Sequence, residues 1–207
     1  MRTDDFKNAI VLAKADLAKR KAQETAELSG AALEGGNLAL KFLGRGALVD
    51  AATYDVRWAD QREGEDFALT DAVMLLHYLQ GAKGVGPTGE IVAYRQIPGG
   101  EFYTAAFRKR AEIPLIKTFG HKPGLLLKAA EKLGGAPREG LGDEGAIFRV
   151  LPNIDVLTVI HHGDEEFDPD GQVLFDKSVS HAVSIEDVAW LGSAVVYRLM
   201  GLARQVA

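Results

Sequence analysis

The chain has 207 residues, of which 47% are hydrophobic and 26% are charged, enough for one ordinary domain with a buried core. Its net charge of −5 argues against nucleic acid as the main partner, because phosphate binding relies on clustered cations. The absence of cysteine excludes disulfides, thiolate zinc sites, cysteine-held iron–sulfur clusters and a cysteine nucleophile within this chain. With no signal-peptide pattern and no apolar run of roughly 20 residues, we expect a soluble cytoplasmic protein with no membrane partner.

The first segment predicts one helix over residues 4–28, within an N-terminal helical arm that spans 1–30. Thr3 can cap it, and the two acids that follow suit the positive end of the helix dipole. Apolar residues recur at helical spacing and form one stripe, made of Phe6, Ile10, Ala13 and Leu17. Ser29-Gly30 marks the end of the helix.

The next segment predicts the first antiparallel strands. "NLALKFLGRGALVD" places Leu38, Leu40 and Phe42 on one face and breaks at Gly44 and Gly46, which is typical of a hairpin. "TYDVRWA" alternates in the same way and predicts a further strand, with Tyr54, Val56 and Trp58 on one side.

The middle of the chain predicts a buried helix, a strand and a helical stretch. "LTDAVMLLHYLQ" is apolar almost all round, with Thr70 as its N-cap and His77 as a neutral core residue. "EIVAYRQI" alternates as a strand, so Arg95 would need a partner if it pointed inward. Helical pieces over 101–133 are expected to be separated at Pro114, Gly120 and Pro123-Gly124.

The last third returns to strands and ends in a helix. "AIFRVLP" and "DVLTVIHH" are joined by a Pro-Asn turn, "QVLFDKS" follows an acidic loop, and Ser184 with Asp187 forms a capping box. Strands and helices come in blocks, which predicts an α+β fold: an antiparallel sheet with helices packed mainly on one face, and a helix at each end. We expect a single domain over 1–207.

The acidic segment "HHGDEEFDPDG" has the highest density of charged and titratable residues in the chain. Its second half, "DPDG", is strong turn chemistry between two strands, whereas Asp164 to Glu166 is the better functional candidate. A metal site from His162, Asp164 and His181 is sterically allowed if the flanking strands form a hairpin. The segment shows no dense ligand signature, so no metal is assigned.

An ordered set of motifs resembles one family. "LLHYL", "TGE", "RQIPGG", "GDEEF", "LFDKSVSH" and "EDVAWLG" are similar to the family of unknown function numbered 3786, over roughly 38–205. The resemblance implies anaerobic bacteria and archaea, and relatives fused to an iron–sulfur domain like that of corrinoid iron–sulfur proteins. This chain has no cysteine for such a domain, and the resemblance supplies no catalytic residue and no cofactor.

Three functions remain open at this point. The leading one is an accessory domain of anaerobic metabolism that binds a small anionic molecule or cofactor, such as a tetrapyrrole. Its cleft would lie between the sheet and the 70–80 helix, lined by His77, Tyr78, Arg95, Phe102 and Tyr103, with Gly99 and Gly100 in the adjoining loop.

The second function is an enzyme with His181 or His77 as general base and Asp164, Glu165 or Asp176 as its partner. The third is an interaction module whose acidic loop docks on a basic protein. In a fourth alternative these residues are only structural. Gly99 and Gly100 form a turn, Asp176 and Ser180 cap it, and Arg95 forms an ion pair with Glu165. The oligomeric state is left open.

Overall fold

The computed structural model describes residues 3–206, which form two compact units. The first unit extends to Gly86 and includes Leu151–Asn153 and His181–Val183. The second comprises Pro87–Val150, Ile154–Ser180 and the residues from Ser184 onward. The α+β class with antiparallel strands and a helix at each end is confirmed, although the strands form two sheets where the sequence predicted one.

The first unit combines helices with a four-stranded sheet of order β1-β2-β3-β4. Its helices are α1 (Thr3–Leu17), α2 (Ala22–Ser29) and α3 (Leu69–Gly81), and its strands are β1 (Ala32–Glu34), β2 (Asn37–Phe42), β3 (Arg45–Asp50) and β4 (Val56–Trp58). The predicted hairpin is confirmed, because Phe42 pairs with Arg45 across the β2–β3 turn. The residues predicted to face inward from β2, namely Leu38, Leu40 and Phe42, are all buried.

The single helix predicted over 4–28 is wrong, because α1 ends at Leu17 and α2 begins at Ala22. The N–H groups of Lys19 and Arg20 donate to carbonyls three residues earlier, at 3.1 and 3.0 Å, so a tight turn interrupts the α-helical ladder. The predicted stripe remains on α1, where Ala13 and Leu17 are buried.

The predicted N-cap of α3 is also wrong. The helix begins at Leu69, with Ala68 at the N-cap and no side-chain cap, so Thr70 lies inside the first turn. His77 is only partly buried, in contrast to its neighbours on either side. Tyr78 is fully buried, and its hydroxyl donates to the Ser29 carbonyl at 2.5 Å and accepts the Asn153 N–H at 3.1 Å.

The second unit is built on a five-stranded sheet of order β5-β9-β8-β7-β6. The strands are β5 (Ile91–Ala93), β6 (Ala136–Pro137), β7 (Glu144–Leu151), β8 (Ile154–His161) and β9 (Asp170–Asp176). The helices are α4 (Thr104–Phe107), α5 (Ile113–Phe119), α6 (Leu125–Lys132) and α7 (Ile185–Val206). Every residue of β8 from Ile154 to Ile160 is buried, which explains its nearly continuous apolar sequence.

The strand predicted from "EIVAYRQI" is shorter than expected. It ends at Ala93, and Tyr94–Gln96 forms a 3₁₀ turn in which the Gln96 side chain accepts the Ala93 N–H at 2.8 Å. This bond caps the 3₁₀ turn in which the strand ends. Arg95 therefore lies on the turn with an exposed side chain, not on an inward face of a strand.

A continuous helical stretch runs from α4 through a π turn at Arg108–Glu112 into α5. Pro114 does not divide it, contrary to the prediction. The Ile113 N–H donates to the Arg108 carbonyl five residues earlier, so the α-helical ladder is already interrupted before the chain reaches the proline.

The other helix boundaries agree with the sequence. The stretch ends at Gly120, and α6 starts after Gly124. The predicted N-cap of α7 is confirmed, since the Asp187 N–H donates to Ser184 Oγ at 3.2 Å; the Asp187 carboxylate accepts the Ser184 hydroxyl at 2.9 Å. Within residues 3–206, no helix has the length and apolar character that crossing a bilayer demands.

Candidate functional site

A cleft of about 430 Å³ opens in the second unit between the end of β5, the outer face of β9 and the helical stretch that contains the π turn. Its apolar lining consists of Ile91, Ala93, Tyr94, Phe107 and Leu174. Its polar lining consists of Arg95, Gln96, Thr104, Arg108, Glu112 and Gln172. Polar and apolar residues contribute to the lining in about equal measure, so the cleft can contact both a charged and an apolar part of a ligand.

The alternation of β9 creates one wall of this cleft. Val173 and Phe175 are buried in the core, so Gln172 and Leu174 face the opposite side of the strand. The edge strand β5 covers only part of β9, because its last pair is Ala93 with Leu174. Gln172 therefore lies beyond the end of β5 and remains exposed.

A stacked aromatic pair forms the opposite wall. The rings of Tyr94 and Phe107 lie 4.3 Å apart at 18°, and the Tyr94 hydroxyl donates to the Ile185 carbonyl at 3.3 Å. Burial raises the pKa of the Tyr94 phenol. A β-carbon on Gly192 of α7 would lie 3.0 Å from Phe107, so this wall is packed without spare volume. The aromatic wall is consequently preformed.

The two arginines of the cleft differ in their partners. Arg108 has a guanidinium nitrogen 3.6 Å from Glu112 Oε2 and another 3.4 Å from Asp170 Oδ1. Arg95 is exposed and, among residues 3–206, has neither a hydrogen bond nor an ion pair. Arg95 therefore supplies the cation of the cleft that is not already neutralised.

Glu112 is the acid of the cleft, and its side chain is only 13% exposed. Burial raises the pKa of this carboxyl, and the negative charge of Asp170 acts in the same direction. The Val173 N–H and Arg108 lower it, but the net shift is upward. Val173 lies one residue beyond the end of β5, so Glu112 serves an N–H that the edge strand leaves without a partner.

Asp176, one of the predicted catalytic candidates, is engaged by backbone donors. Its Oδ1 accepts the Thr88 N–H at 3.0 Å, the Thr88 hydroxyl at 3.1 Å and the Ser178 N–H at 2.9 Å. Its Oδ2 accepts the Gly89 N–H at 2.6 Å. Burial raises the pKa of Asp176, but these bonds outweigh it and bring the pKa to about 2. The "TGE" motif is thus a loop wrapped around a buried carboxylate.

The acidic loop joins β8 and β9, whose register pairs His161 with Asp170. Asp164 accepts the N–H groups of Glu166 and Phe167, each at 2.8 Å, and these bonds lower its pKa. Asp164 therefore shapes the turn itself. Glu165 is exposed, and the pairing of Arg95 with Glu165 is not formed.

His162 belongs to a second polar network in the same unit. Its Nε2 lies 2.8 Å from Glu144 Oε1, and its Nδ1 lies 3.1 Å from the Gly120 carbonyl. Glu144 also accepts the N–H groups of Gly124 and Leu127, at the start of α6. This network fastens the start of the acidic loop to a helix N-terminus.

The side chains of the predicted metal site, His162, Asp164 and His181, do not form a common site. In the part of the chain that the structure describes, no group of three or more His, Asp or Glu side chains is placed to hold a metal ion. His181 is exposed at the end of the 3₁₀ turn Lys177–His181. Asp164 and His162 are used by the bonds described above.

The remaining predicted ligand residues have mixed roles. Phe102 and Tyr103 are 80% and 53% exposed and directly precede Thr104 of the cleft. Gly99 has a φ of +85°, and a β-carbon on Gly100 would lie 2.0 Å from the Tyr94 carbonyl oxygen, so both glycines are required by the turn. Tyr78 is buried in the first unit, with His77 beside it on the same helix.

Sequence reasoning missed part of the cleft. Arg108 and Glu112 stand four residues apart in "RKRAE", a spacing that pairs opposite charges along a helix and could have been noticed. Gln172 gives no such signal, because it follows a turn in an ordinary strand pattern. Thr104 and Gln96 likewise become site residues only through the packing of the turn and the π-turn segment.

Comparison with known proteins gives one positive result. No curated protein and no solved structure matches the chain. A family model matches residues 21–198, which include the cleft and the hydrogen-bond networks of Asp176 and His162. The chain therefore belongs to the family described as Domain of unknown function (DUF3786).

Proposed function

We propose that this protein binds a small anionic molecule in the cleft of its second unit, with Arg95 as the group that holds the negative charge. The observation that carries the proposal is the Arg95 guanidinium, which lines a cleft and, among residues 3–206, has no partner. A planar guanidinium suits carboxylate and phosphate oxygens, because it donates in a fixed fork.

The surroundings of Arg95 support a ligand larger than a lone ion. The cleft of about 430 Å³ falls in the range of about 300 to 1,000 Å³ that small-molecule sites occupy. Tyr94 and Phe107 are only 3% and 2% exposed, so they form a rigid backing, and the apolar surface open to a ligand comes mainly from Ile91, Ala93 and Leu174. The exposed rings of Phe102 and Tyr103 directly precede Thr104 in sequence. We assign the protein an accessory, ligand-holding role.

The first test is native mass spectrometry of untagged protein purified from anaerobically grown cells, followed by calorimetric titration with a panel of anions. A bound mass, or binding with a defined stoichiometry, is expected for the wild type and should be lost in Arg95→Gln. The matched control is Arg138→Gln, which removes the same charge from an exposed position of the same unit outside the cleft. Equal behaviour of the two variants, or no binding to the wild type, contradicts the proposal.

A further inference from the structure

Two groups of opposite charge face the same cleft. Arg95 comes from the turn after β5, and Glu112 comes from the last position of the π turn. Arg108, also in the π turn, holds Glu112 from one side at 3.6 Å. An anion bound to Arg95 would therefore share the cleft with a carboxyl group whose side chain is only 13% exposed.

We propose that Glu112 takes up a proton when the anion binds and donates a hydrogen bond to it, so that the cleft selects oxyanions with at least two acceptor groups. This inference rests on the proposed function. It adds the class of ligand, an oxyanion, and the uptake of one proton by the protein when the ligand binds. Its atom balance is simple: one proton moves from solvent to Glu112 Oε, and no covalent bond of the ligand changes.

Before an anion binds, the charges around Glu112 act in both directions: Arg108 lowers the pKa of this carboxyl, and Asp170 raises it. Arg108 faces it from its own helical stretch, Arg95 from the turn after β5, and Asp170 from the start of β9 through its contact with Arg108. A bound anion would neutralise Arg95 and remove water, and both changes disfavour a second negative charge. Burial already raises the pKa of Glu112, so the further shift needed on anion binding is in the same direction.

The hydrogen-bonding groups of the cleft also favour an acceptor-rich ligand. The Gln96 side-chain oxygen is taken by the Ala93 N–H, which leaves its amide nitrogen as a donor. The Thr104 hydroxyl donates to the Gly100 carbonyl at 2.9 Å and so offers the ligand no donor; Gln96 and Arg95 are the groups that favour an acceptor. Arg95 can only donate. A zwitterionic amino acid would instead place its ammonium group against Glu112 and keep that carboxylate charged.

The test is titration calorimetry with oxalate, sulfate and glycine, in buffers of different ionisation enthalpy. Oxalate and sulfate stay fully ionised near pH 6, so any proton exchanged belongs to the protein. We expect the uptake to approach one proton per oxyanion in the wild type. Glu112→Gln keeps an acceptor for the Val173 N–H, and it should bind with affinity within a few-fold but take up no proton.

The outcomes separate the two proposals. Oxyanion binding to the wild type without proton uptake, or preferential binding of glycine, overturns this inference and leaves anion binding intact. Failure of every anion to bind overturns both. If Glu112→Gln does not fold, the wild type alone decides: its affinity for oxalate should rise by up to about tenfold per unit fall in pH, and a flat profile refutes the idea.

Discussion

Replacing Asp176 by asparagine would test whether this carboxylate is an anchor of the fold, as its bonds indicate. In the native protein the N–H groups of Thr88, Gly89 and Ser178 all donate to it. An asparagine can keep its carbonyl oxygen at the Oδ1 position, where most donors converge. Its amide nitrogen then points at the Gly89 N–H, so one bond becomes a contact between two donors and the others lose their charge assistance.

The magnitude follows from the pKa of Asp176. A fall from the ordinary value of about 3.9 to about 2 corresponds to roughly 2 to 3 kcal/mol of folding free energy at neutral pH. Because the folded-state pKa is the lower one, this stability is present above about pH 4 and is lost as the pH falls toward 2. Asp176→Asn should lose a similar amount at pH 7 and show less acid dependence between those limits.

The assay is urea unfolding at neutral and acid pH, combined with hydrogen exchange of the segment over 87–92. The exposed Asp168 in the same hairpin provides the control, and Asp168→Asn should change stability by less than about 0.5 kcal/mol. Faster exchange in the 87–92 segment of Asp176→Asn is expected, since its N–H donors are then poorly bound. If Asp176→Asn is no less stable than Asp168→Asn, the anchoring argument is refuted.

Three further substitutions probe other contacts. Gly100→Ala should cost more than about 1 kcal/mol in thermal unfolding, because its β-carbon would collide with the Tyr94 carbonyl; an unchanged melting temperature would contradict the turn geometry. Tyr78→Phe should cost about 1 to 3 kcal/mol in urea unfolding by leaving two backbone partners unsatisfied, and a loss below that range would speak against the bridge. His162→Ala should speed hydrogen exchange over 162–169, because it removes the contact between this loop and Glu144. Unaltered exchange there would show that the His162–Glu144 contact does not stabilise the loop.

Local sequence patterns were sufficient for elements whose hydrogen bonds lie between near neighbours. The β2–β3 hairpin follows from alternation and glycine, and the start of α7 follows from Ser184 and its capping partner. The β8–β9 hairpin follows from turn residues between two apolar runs. The errors occurred where a few bonds override the pattern, as in the turn after Leu17 and in the Gln96 side chain that ends β5.

The candidate site was only partly predictable because its residues come from distant parts of the chain. Arg95 was identified from its charge in an apolar context, although its position on a strand was wrong. Glu112 and Gln172 are separated by 60 positions and meet only through the sheet and the π-turn segment. No periodicity within a single sequence links such positions. The sequence therefore predicted Arg95 as the cation of the site but did not predict the cleft that surrounds it.

The π turn at Arg108–Glu112 makes the cleft sensitive to chain length at one point. A π turn contains one residue more than an α-helical turn, so deleting a residue there would restore an unbroken α helix. The wider turn takes up this extra residue locally, so its deletion would leave the helix on either side facing nearly as before. Arg108 and Glu112 would then stand three positions apart instead of four. A family member shortened by this one residue would keep the helix but lack the wider turn at the cleft, so an alignment gap at this position would mark proteins whose cleft is lined differently at this point.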